Sequence, residues 1–430
     1  MKIKFILIFS LILSLEINGK SLRNLKYNNS PPDPPSRGDK NKFDYSNYSA
    51  ISKNEDLSLK EVISTEADQS VIYITESGKT LTNLQVTKES GDSSNIENSE
   101  FYGVNAAILV QGGDLTVLNG IIKSKAKGGN LICATNSGKV TVSGGTLVST
   151  AESSARGLHA TFGGEINAIN TNIFSKGVSC ANLATDRGEG IVNCKGCILR
   201  TEGAGSPLIY STGTITATQS TGTSTGSQMV VIEGKNTATI EEYSEFKCNG
   251  YGKMGEVDTC GVMIYQSMSG DAGEGTGTFN CKNSKMEILE ESSVYTTAPM
   301  FFVTNTKAII NLESCTIKYG SNIFLNAAGN SQWGNSGSNG GSVTLNLNNQ
   351  NIEGDLVVDG ISSLEIIMVN SSIKGKINTA KSATKLSINL DAQSKITLTG
   401  ESYYTSLING DSTGNNIIKG SYSFTKYWVY

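Results

Sequence analysis

The chain has 430 residues, with 35 basic and 39 acidic side chains and a formal net charge of −4. This balance supplies no basic field for nucleic acid or for an anionic membrane surface, so neither partner is predicted. The 47 glycines, together with abundant Ser, Thr and Asn, favour many short strands joined by tight turns over helices.

The first residues have the layout of an export signal. Residues 1–19, MKIKFILIFSLILSLEING, place two lysines before an apolar stretch that ends in small polar residues. This pattern is typical of a secretory signal peptide. No later apolar run reaches the roughly 18 to 20 residues that a transmembrane helix needs. The sequence therefore predicts a secreted protein, extracellular or at the cell surface, without a transmembrane segment.

A polar segment at residues 20–58 follows, and four of the 6 prolines lie at positions 31–35. Such a composition buries too little apolar surface to fold, which predicts a disordered linker before a folded domain at residues 59–425. Asn28, Asn47 and Asn370 lie in N-x-S/T sequons and would accept glycans in a eukaryotic host.

An apolar template recurs about every 25 residues in the folded domain. Each unit has an apolar residue at position zero, usually another at position two, and another at position seven. Clear units start at Leu115, Val140, Ile166 and Ile191. Alternation within the first segment indicates a strand, the next segment a second strand, and an upstream block such as LHATFGG a third.

Three short strands per unit of about 25 residues predict an all-β fold, a right-handed parallel β-helix. A sandwich or propeller would need hairpins and a longer period. We expect the four starting residues to stack in one buried column, while Asp114, Lys139 and Glu165 form an outward ladder. Where the inward pattern turns polar, at Asn193 and Asn182, we expect side-chain amides to hydrogen-bond along the axis.

The 8 cysteines suggest limited pairing in a secreted chain. Cys248 and Cys260 flank a glycine-rich insertion, which predicts a disulfide that closes this loop. Cys281 occupies an inward template position and is expected to act as a small buried hydrophobe. The C-x-x-C at Cys194 and Cys197 lacks a second pair and a following helix, so we predict neither zinc nor a redox site, and no cofactor.

Several particular blocks go beyond the template. These are RGLHATFGG, LATDRGEG, SPLIYSTGTIT, VVIEGKN, GVMIYQSMSGDAGEGTGTF, FFVTNTKA and GDLVVDGISSL. In this order, over about residues 101–408, they resemble secreted, largely uncharacterised β-helix proteins of the bacterial type, with the pectin-lyase-like superfold, which are often labelled adhesin-like. The resemblance implies the fold and secretion, but no catalytic residue or ligand.

The superfold also includes polysaccharide lyases and glycoside hydrolases, so an enzyme is the alternative function. Glycoside hydrolysis needs two suitably spaced carboxyl groups. The catalytic candidates, which a coil corner with solvated charges explains equally well, are Asp186, Arg187, Glu189, Asp271 and Glu274. The one histidine, His159, is expected to lie at the surface.

The favoured function is non-catalytic binding of carbohydrate or another extracellular surface through outward faces and loops. Trp333, in a Gly/Ser/Asn-rich loop, is the ligand-binding candidate, although a buried indole that anchors the loop explains it as well. Ice binding is disfavoured. Thr116, Thr141 and Thr216 share an outward column, but Asn167 and Val192 are expected to interrupt it, and no second column is expected beside it.

Overall fold

A computed structural model describes residues 43–252 and 259–429. The predicted signal peptide, Asn28 and the first part of the predicted linker lie outside these residues. The described chain winds through three sheets in turn, and neighbouring strands pair in parallel. One such turn comprises Ile108–Gln111, Asp114–Leu118 and Ile121–Ser124. This is the predicted right-handed parallel β-helix. Within the described ranges, no helix is long and apolar enough to cross a membrane.

The strands of the described ranges form the following sheets. Sheet 1 has 12 strands there, in the order Ala50–Lys53, Ser70–Ile74, Ile108–Gln111, Ile132–Thr135, Leu158–Ala160, Leu183–Thr185, Ile209–Ser211, Val230–Glu233, Val262–Tyr265, Phe301–Thr304, Ile323–Ala327 and Asp355–Val358. Sheet 2 has 13, in the order Lys79–Thr82, Asp114–Leu118, Lys139–Ser143, Glu165–Ile169, Ile191–Lys195, Thr214–Thr218, Thr237–Glu241, Thr276–Lys282, Thr306–Glu313, Gly341–Asn348, Ser363–Val369, Lys385–Leu390 and Ser406–Asn409. Sheet 3 has 10, in the order Glu61–Ser64, Gln85–Lys88, Ile121–Ser124, Thr146–Ser149, Asn172–Ser175, Ile198–Thr201, Thr221–Ser224, Glu245–Cys248, Lys285–Ile288 and Thr316–Lys318. Near the C-terminus, four strands form another sheet, Asn351–Glu353, Ser372–Gly375, Lys395–Leu398 and Ile417–Ile418, and two pair separately, Ser402–Tyr404 and Phe424–Lys426.

The pairing register confirms the template in its first units. Asp114 pairs with Lys139, and Lys139 pairs with Glu165, so these coils contain 25 and 26 residues. The same register aligns Leu115, Val140 and Ile166, which are at most 2 % exposed. The predicted column of apolar residues and the predicted outward alignment of charges are therefore both present here.

The fourth unit is shifted by one residue from the prediction. Val192, not Ile191, pairs with Ile166 and is buried, whereas Ile191 is 41 % exposed. Because side chains alternate between faces, a shift of one residue exchanges the two faces of the strand. The predicted inward position of Ile191 was wrong. Ile191 and Val192 are adjacent and both apolar, and it is Val192, together with Cys194, that is buried in the core.

The same shift relocates the predicted amide contacts. Asn193 faces outward, and its Nδ2 donates to Oδ1 of Asn167 in the preceding coil at 3.0 Å. Asn182 is buried, but its Nδ2 donates to Oγ of Ser175 at 2.7 Å rather than to a stacked amide. An axial amide contact exists at Asn193, on the outward face instead of the inward one.

The described part of the predicted linker is folded. Residues 50–53 form the first strand of sheet 1, and the Tyr48 hydroxyl lies 2.6 Å from Ser70 Oγ. The rings of Tyr45 and Tyr48 both pack against Tyr73, an outward residue of sheet 1. The folded domain therefore begins before residue 59, because aromatic side chains in this polar segment cover the sheet. Asn47 and Asn370 are exposed.

The disulfide of the described residues joins Cys281 to Cys315. Cys248 is a buried free thiol in the main core, while Cys260 belongs to a separate cluster with Met263 and Phe302. The predicted bridge between Cys248 and Cys260 is not formed, because the two side chains lie in different apolar clusters. Cys281 is buried as predicted, but as a disulfide cysteine.

Candidate functional site

Part of the outward face of sheet 1 is covered rather than exposed to solvent. A short helix, α1 (Ile96–Tyr102), is capped by Asn95, which accepts a hydrogen bond from the Glu97 N–H, and ends at Gly103 with φ +73°. Gly103 packs so closely on sheet 1 that a Cβ there would lie 2.5 Å from Cys133 Sγ. Only glycine suits this left-handed close approach.

His159 lies under this cover. It pairs with Cys133 and Ala184 in the outward column of sheet 1, and it is fully buried. Burial, helped by the nearby Arg156 charge, lowers its pKa well below the ordinary value, so the ring is neutral. The predicted surface location of His159 was wrong, because the sequence pattern shows a face of the sheet but not what covers that face.

A cavity of about 200 Å³ lies on the same face. Its floor includes Tyr210, Val231 and Met263 from sheet 1. The loops after two later strands of sheet 1 contribute Asp271 and Trp333 to its lining. Residues Glu100 and Phe101 of α1 also line it, so segments far apart in sequence meet here.

An ion-pair cluster is buried in the lining of the cavity. Arg156 Nη2 lies 3.3 Å from Glu100 Oε1 and 3.3 Å from Asp186 Oδ2. Asp186 Oδ1 also accepts the backbone N–H of Arg187 at 2.8 Å. Asp186 is only 4 % exposed, and burial raises its pKa to about 7 despite the attraction of Arg156. This carboxyl group therefore changes charge near neutral pH.

A second ion pair joins Arg187, which follows the strand Leu183–Thr185, to the loop that contains Asp271. Arg187 Nη2 lies 2.6 Å from Asp271 Oδ1, and Arg187 Nε lies 3.2 Å from the same oxygen. The Arg187 guanidinium also lies 3.7 Å from the centroid of the Phe101 ring. This arrangement holds the loop and the helix together next to Asp186.

Aromatic side chains form another part of the lining. The ring of Trp333 packs at 4.5 Å from the ring of Tyr265, and the indole is half-buried. The hydroxyls of Tyr265 and Tyr210 donate to Glu233 Oε2 at 3.0 and 2.6 Å, and Ser267 Oγ donates to Oε1. Burial raises the pKa of both tyrosines well above the ordinary value. The buried Glu233 carboxylate thus fixes two rings of the cavity.

The structure brings together part of the predicted site. Asp186, Asp271 and Trp333 line the cavity, and Arg187 contacts Asp271. Glu189 instead pairs with Lys235 at 3.0 Å, and Glu274 is exposed. The alternative that placed Asp186 in a solvated corner was wrong, because this residue is buried.

Sequence reasoning missed Glu100, Arg156, Gln228, Glu233 and Tyr265. One signal was available: Arg156 and Gln228 each stand two residues before a strand of sheet 1, Leu158–Ala160 and Val230–Glu233. Both residues hold the same register position, three coils apart, so they lie along one edge of sheet 1. Nothing in the repeat, however, indicated that α1 would cover them.

The outward face of sheet 2 has threonine columns that differ in part from the prediction. Thr216 pairs with Asn193 and Thr239, while the neighbouring column contains Thr214 and Thr237. The expectation of no second column was therefore wrong. Asn167 interrupts the first column as predicted, and in the next coil Asn193 interrupts it instead of Val192, which faces inward. Asn280 Nδ2 donates to Thr239 Oγ1 at 3.0 Å, so part of the face satisfies its own hydrogen bonds.

In the described ranges, no group of three or more His, Cys, Asp or Glu residues is placed to hold a metal ion. Comparison of the chain with protein-family models, with curated proteins and with solved structures finds no match. The geometry of the cavity is therefore the basis for a functional assignment.

Proposed function

We propose that this is a secreted, non-catalytic β-helix protein that binds carbohydrate in the cavity on sheet 1. The observation that carries the proposal is the position of Trp333. Its half-buried indole, packed on Tyr265, lines the same cavity as the buried polar groups of Arg156 and Asp186. An apolar ring face beside a few fixed polar groups is the combination that a sugar requires.

The size of the cavity suits a single sugar unit within a longer polysaccharide. Its volume of about 200 Å³ is below the roughly 300 Å³ at which pockets for drug-sized ligands begin. One sugar unit of a polysaccharide suits this space, while flanking units would lie along the neighbouring loops. The N-terminal sequence pattern supports secretion, and a polysaccharide at a cell surface is then an accessible ligand.

The experiment measures retention of the mature protein on immobilised plant, fungal and bacterial polysaccharides. We expect Trp333→Ala to lower retention at least about tenfold, because the ring contact is lost. Trp428→Ala is the matched control, because Trp428 is 69 % exposed and lies outside the cavity. Equal retention of wild type and Trp333→Ala on every polysaccharide would contradict the proposal.

Hydrolysis of a glycosidic bond is the second candidate, favoured by the two carboxyl groups of one cavity. With its pKa of about 7, Asp186 can hold a proton for the leaving group, while Asp271 can act as the base. A lyase is less suited, because Arg156 and Arg187 both face carboxylates rather than a free site for proton abstraction.

The same retention assay distinguishes binding from turnover. New reducing ends from wild-type protein, lost about 100-fold or more in Asp186→Asn, would establish the hydrolase. Retention without new reducing ends or unsaturated products is the result expected for a binding protein.

A further inference from the structure

Two buried hydrogen-bond donors, on residues that line the cavity, have no partner among the described residues. They are Nη1 of Arg156 and Nε2 of Gln228. Both side chains line the cavity and are 7 % and 2 % exposed. A buried donor without a partner costs about 1 to 3 kcal/mol. A ligand that places oxygen atoms at these two positions recovers this cost.

Hydrogen-bond acceptors, the carboxylate oxygens of Asp186 and Glu100, also line the cavity. Each oxygen of Asp186 accepts one hydrogen bond from the protein, and a carboxylate has about four acceptor positions in total. Glu100, which shares Arg156 with Asp186, also lines the cavity. A sugar hydroxyl accepts one hydrogen bond and donates another. Hydroxyls of a bound sugar can therefore accept from Arg156 and Gln228 and donate to the carboxylates.

The charges around the cavity disfavour an acidic ligand. The groups that face Asp186 are Glu100 from α1, Arg156 and Arg187, Asp271 from the loop, and the uncharged phenol of Tyr210. Two cations thus face three carboxyl groups, which leaves one net negative charge among these groups when Asp186 is ionised. The buried Glu233, which accepts hydrogen bonds from Tyr210 and Tyr265 of the same lining, adds a fourth carboxyl group. A further carboxylate would enter a poorly solvated site that already carries this charge.

We infer that the Arg156, Asp186 and Gln228 side chains form a subsite for an uncharged sugar unit and reject the corresponding uronic acid. This inference rests on the proposed function, since it assigns the substrate class of the same cavity. Arg156 and Gln228 donate to ring hydroxyls, and Asp186 accepts from one of them. The carboxylate of a uronate would instead meet the charge of Asp186 and Glu100.

The rejection depends on pH. Because burial raises the pKa of Asp186 to about 7, this group is ionised at pH 8 and protonated at pH 5.5. The negative charge around the cavity is then smaller by one unit at pH 5.5 than at pH 8. Uronate binding should therefore strengthen as the pH falls, whereas binding of the uncharged sugar should stay nearly constant.

The test uses matched hexasaccharides of glucan, mannan and galactan, each neutral or oxidised at C6 to the uronate. Calorimetry at pH 5.5 and pH 8 measures the dissociation constants for the full-length mature protein. For the neutral chain that binds best, we expect its oxidised form to bind at least about tenfold more weakly at pH 8. The difference should narrow to about threefold at pH 5.5.

Variants identify the groups responsible. Asp186→Asn should bring the oxidised chain to within about threefold of the neutral one at both pH values, because the titrating charge is gone. Gln228→Glu exchanges a donor for an acceptor at constant shape, and it should weaken binding of the neutral chain about tenfold. Gln85→Glu, the same change at an exposed position of sheet 3, is the control and should have no effect.

The outcomes separate the two proposals. Oxidised chains that bind wild type as tightly as neutral ones at pH 8 would overturn the inference but leave carbohydrate binding in place. The absence of binding for every hexasaccharide and polysaccharide would overturn carbohydrate binding itself. If Asp186→Asn fails to fold, the wild-type comparison at two pH values and the Gln228→Glu result still decide the inference.

Discussion

Arg187 and Asp271 are 84 positions apart in sequence, and their side chains meet at 2.6 Å beside the cavity. The contact links the turn after the strand Leu183–Thr185 to a loop that is inserted after the strand Val262–Tyr265, three coils later. The Arg187 and Asp271 side chains are 28 % and 22 % exposed, so solvent screens the pair only in part. The rim of the cavity thus depends on an ion pair that no repeat pattern encodes.

Asp271→Asn should loosen the loop. Because a partly buried, charge-assisted contact is lost, we expect the free energy of unfolding to fall by about 1 kcal/mol. Denaturant unfolding of the two proteins measures the change. Glu353→Gln provides the control, since its ion pair with Lys374 is well exposed and should contribute almost nothing. An equal loss in both variants would show that the Arg187 contact is not special.

The register of the fourth unit predicts opposite results at two adjacent residues. Val192→Asp should place an unpaired charge in the core and cost several kcal/mol. Ile191→Asp, at a 41 % exposed position, should cost less than about 1 kcal/mol. Thermal unfolding of both variants checks this. A larger loss for Ile191→Asp would restore the register that the apolar template alone suggests.

The sequence was sufficient for the fold because inward positions repeat in every coil. Leu115, Val140 and Ile166 each contact their neighbours in the stack, so one spacing specifies all of them. The ambiguity at Ile191 and Val192 arises because both residues are apolar and burial must choose one. A single sequence shows the period of the repeat, but it does not show which of these two residues is buried.

The site was harder to predict because it is built from segments outside the repeat. Asp186, Asp271 and Trp333 were each recognisable as polar or aromatic residues in loops. These residues come together only because the inserted loops fold over the same face of sheet 1. The raised pKa of Asp186 depends on its burial, which the repeat pattern does not show. Helix α1, Ile96–Tyr102, has only 7 residues, too few for a periodic signal in the sequence.

Removal of the Cys281–Cys315 disulfide should lower stability. The bridge closes a loop with a sequence separation of 34, for which the chain-entropy estimate is about 3 to 4 kcal/mol. We expect the double change of both cysteines to alanine to lower the free energy of unfolding by this amount. Reductant should then have no further effect on the variant. Peptide mapping that finds Cys281 and Cys315 as free thiols would contradict this pairing.

The burial of Lys88 can be tested through the pH dependence of stability. Its side chain is fully buried, and Nζ donates to Gln69 O at 2.9 Å and to Glu66 O. Burial lowers its pKa to about 8, although Asp68, Glu66 and Asp92 act in the opposite direction. In the unfolded chain the pKa returns to about 10.4.

Between these two pH values the unfolded state binds more protons than the folded state. The contribution of Lys88 to stability must therefore rise with pH from about 8 to about 10.4. We expect the free energy of unfolding of wild type, relative to Lys88→Met, to increase by about 2 kcal/mol across this window and to stay constant near pH 7. Buried thiols such as Cys133, whose pKa burial raises to about 12, change stability in the opposite direction, but they do so in both proteins. Lys123→Met, at an exposed position of sheet 3, is the control and should show no such trend. A flat difference for Lys88→Met would mean that Lys88 keeps its proton in the folded protein, held by the carbonyl groups of the preceding coil.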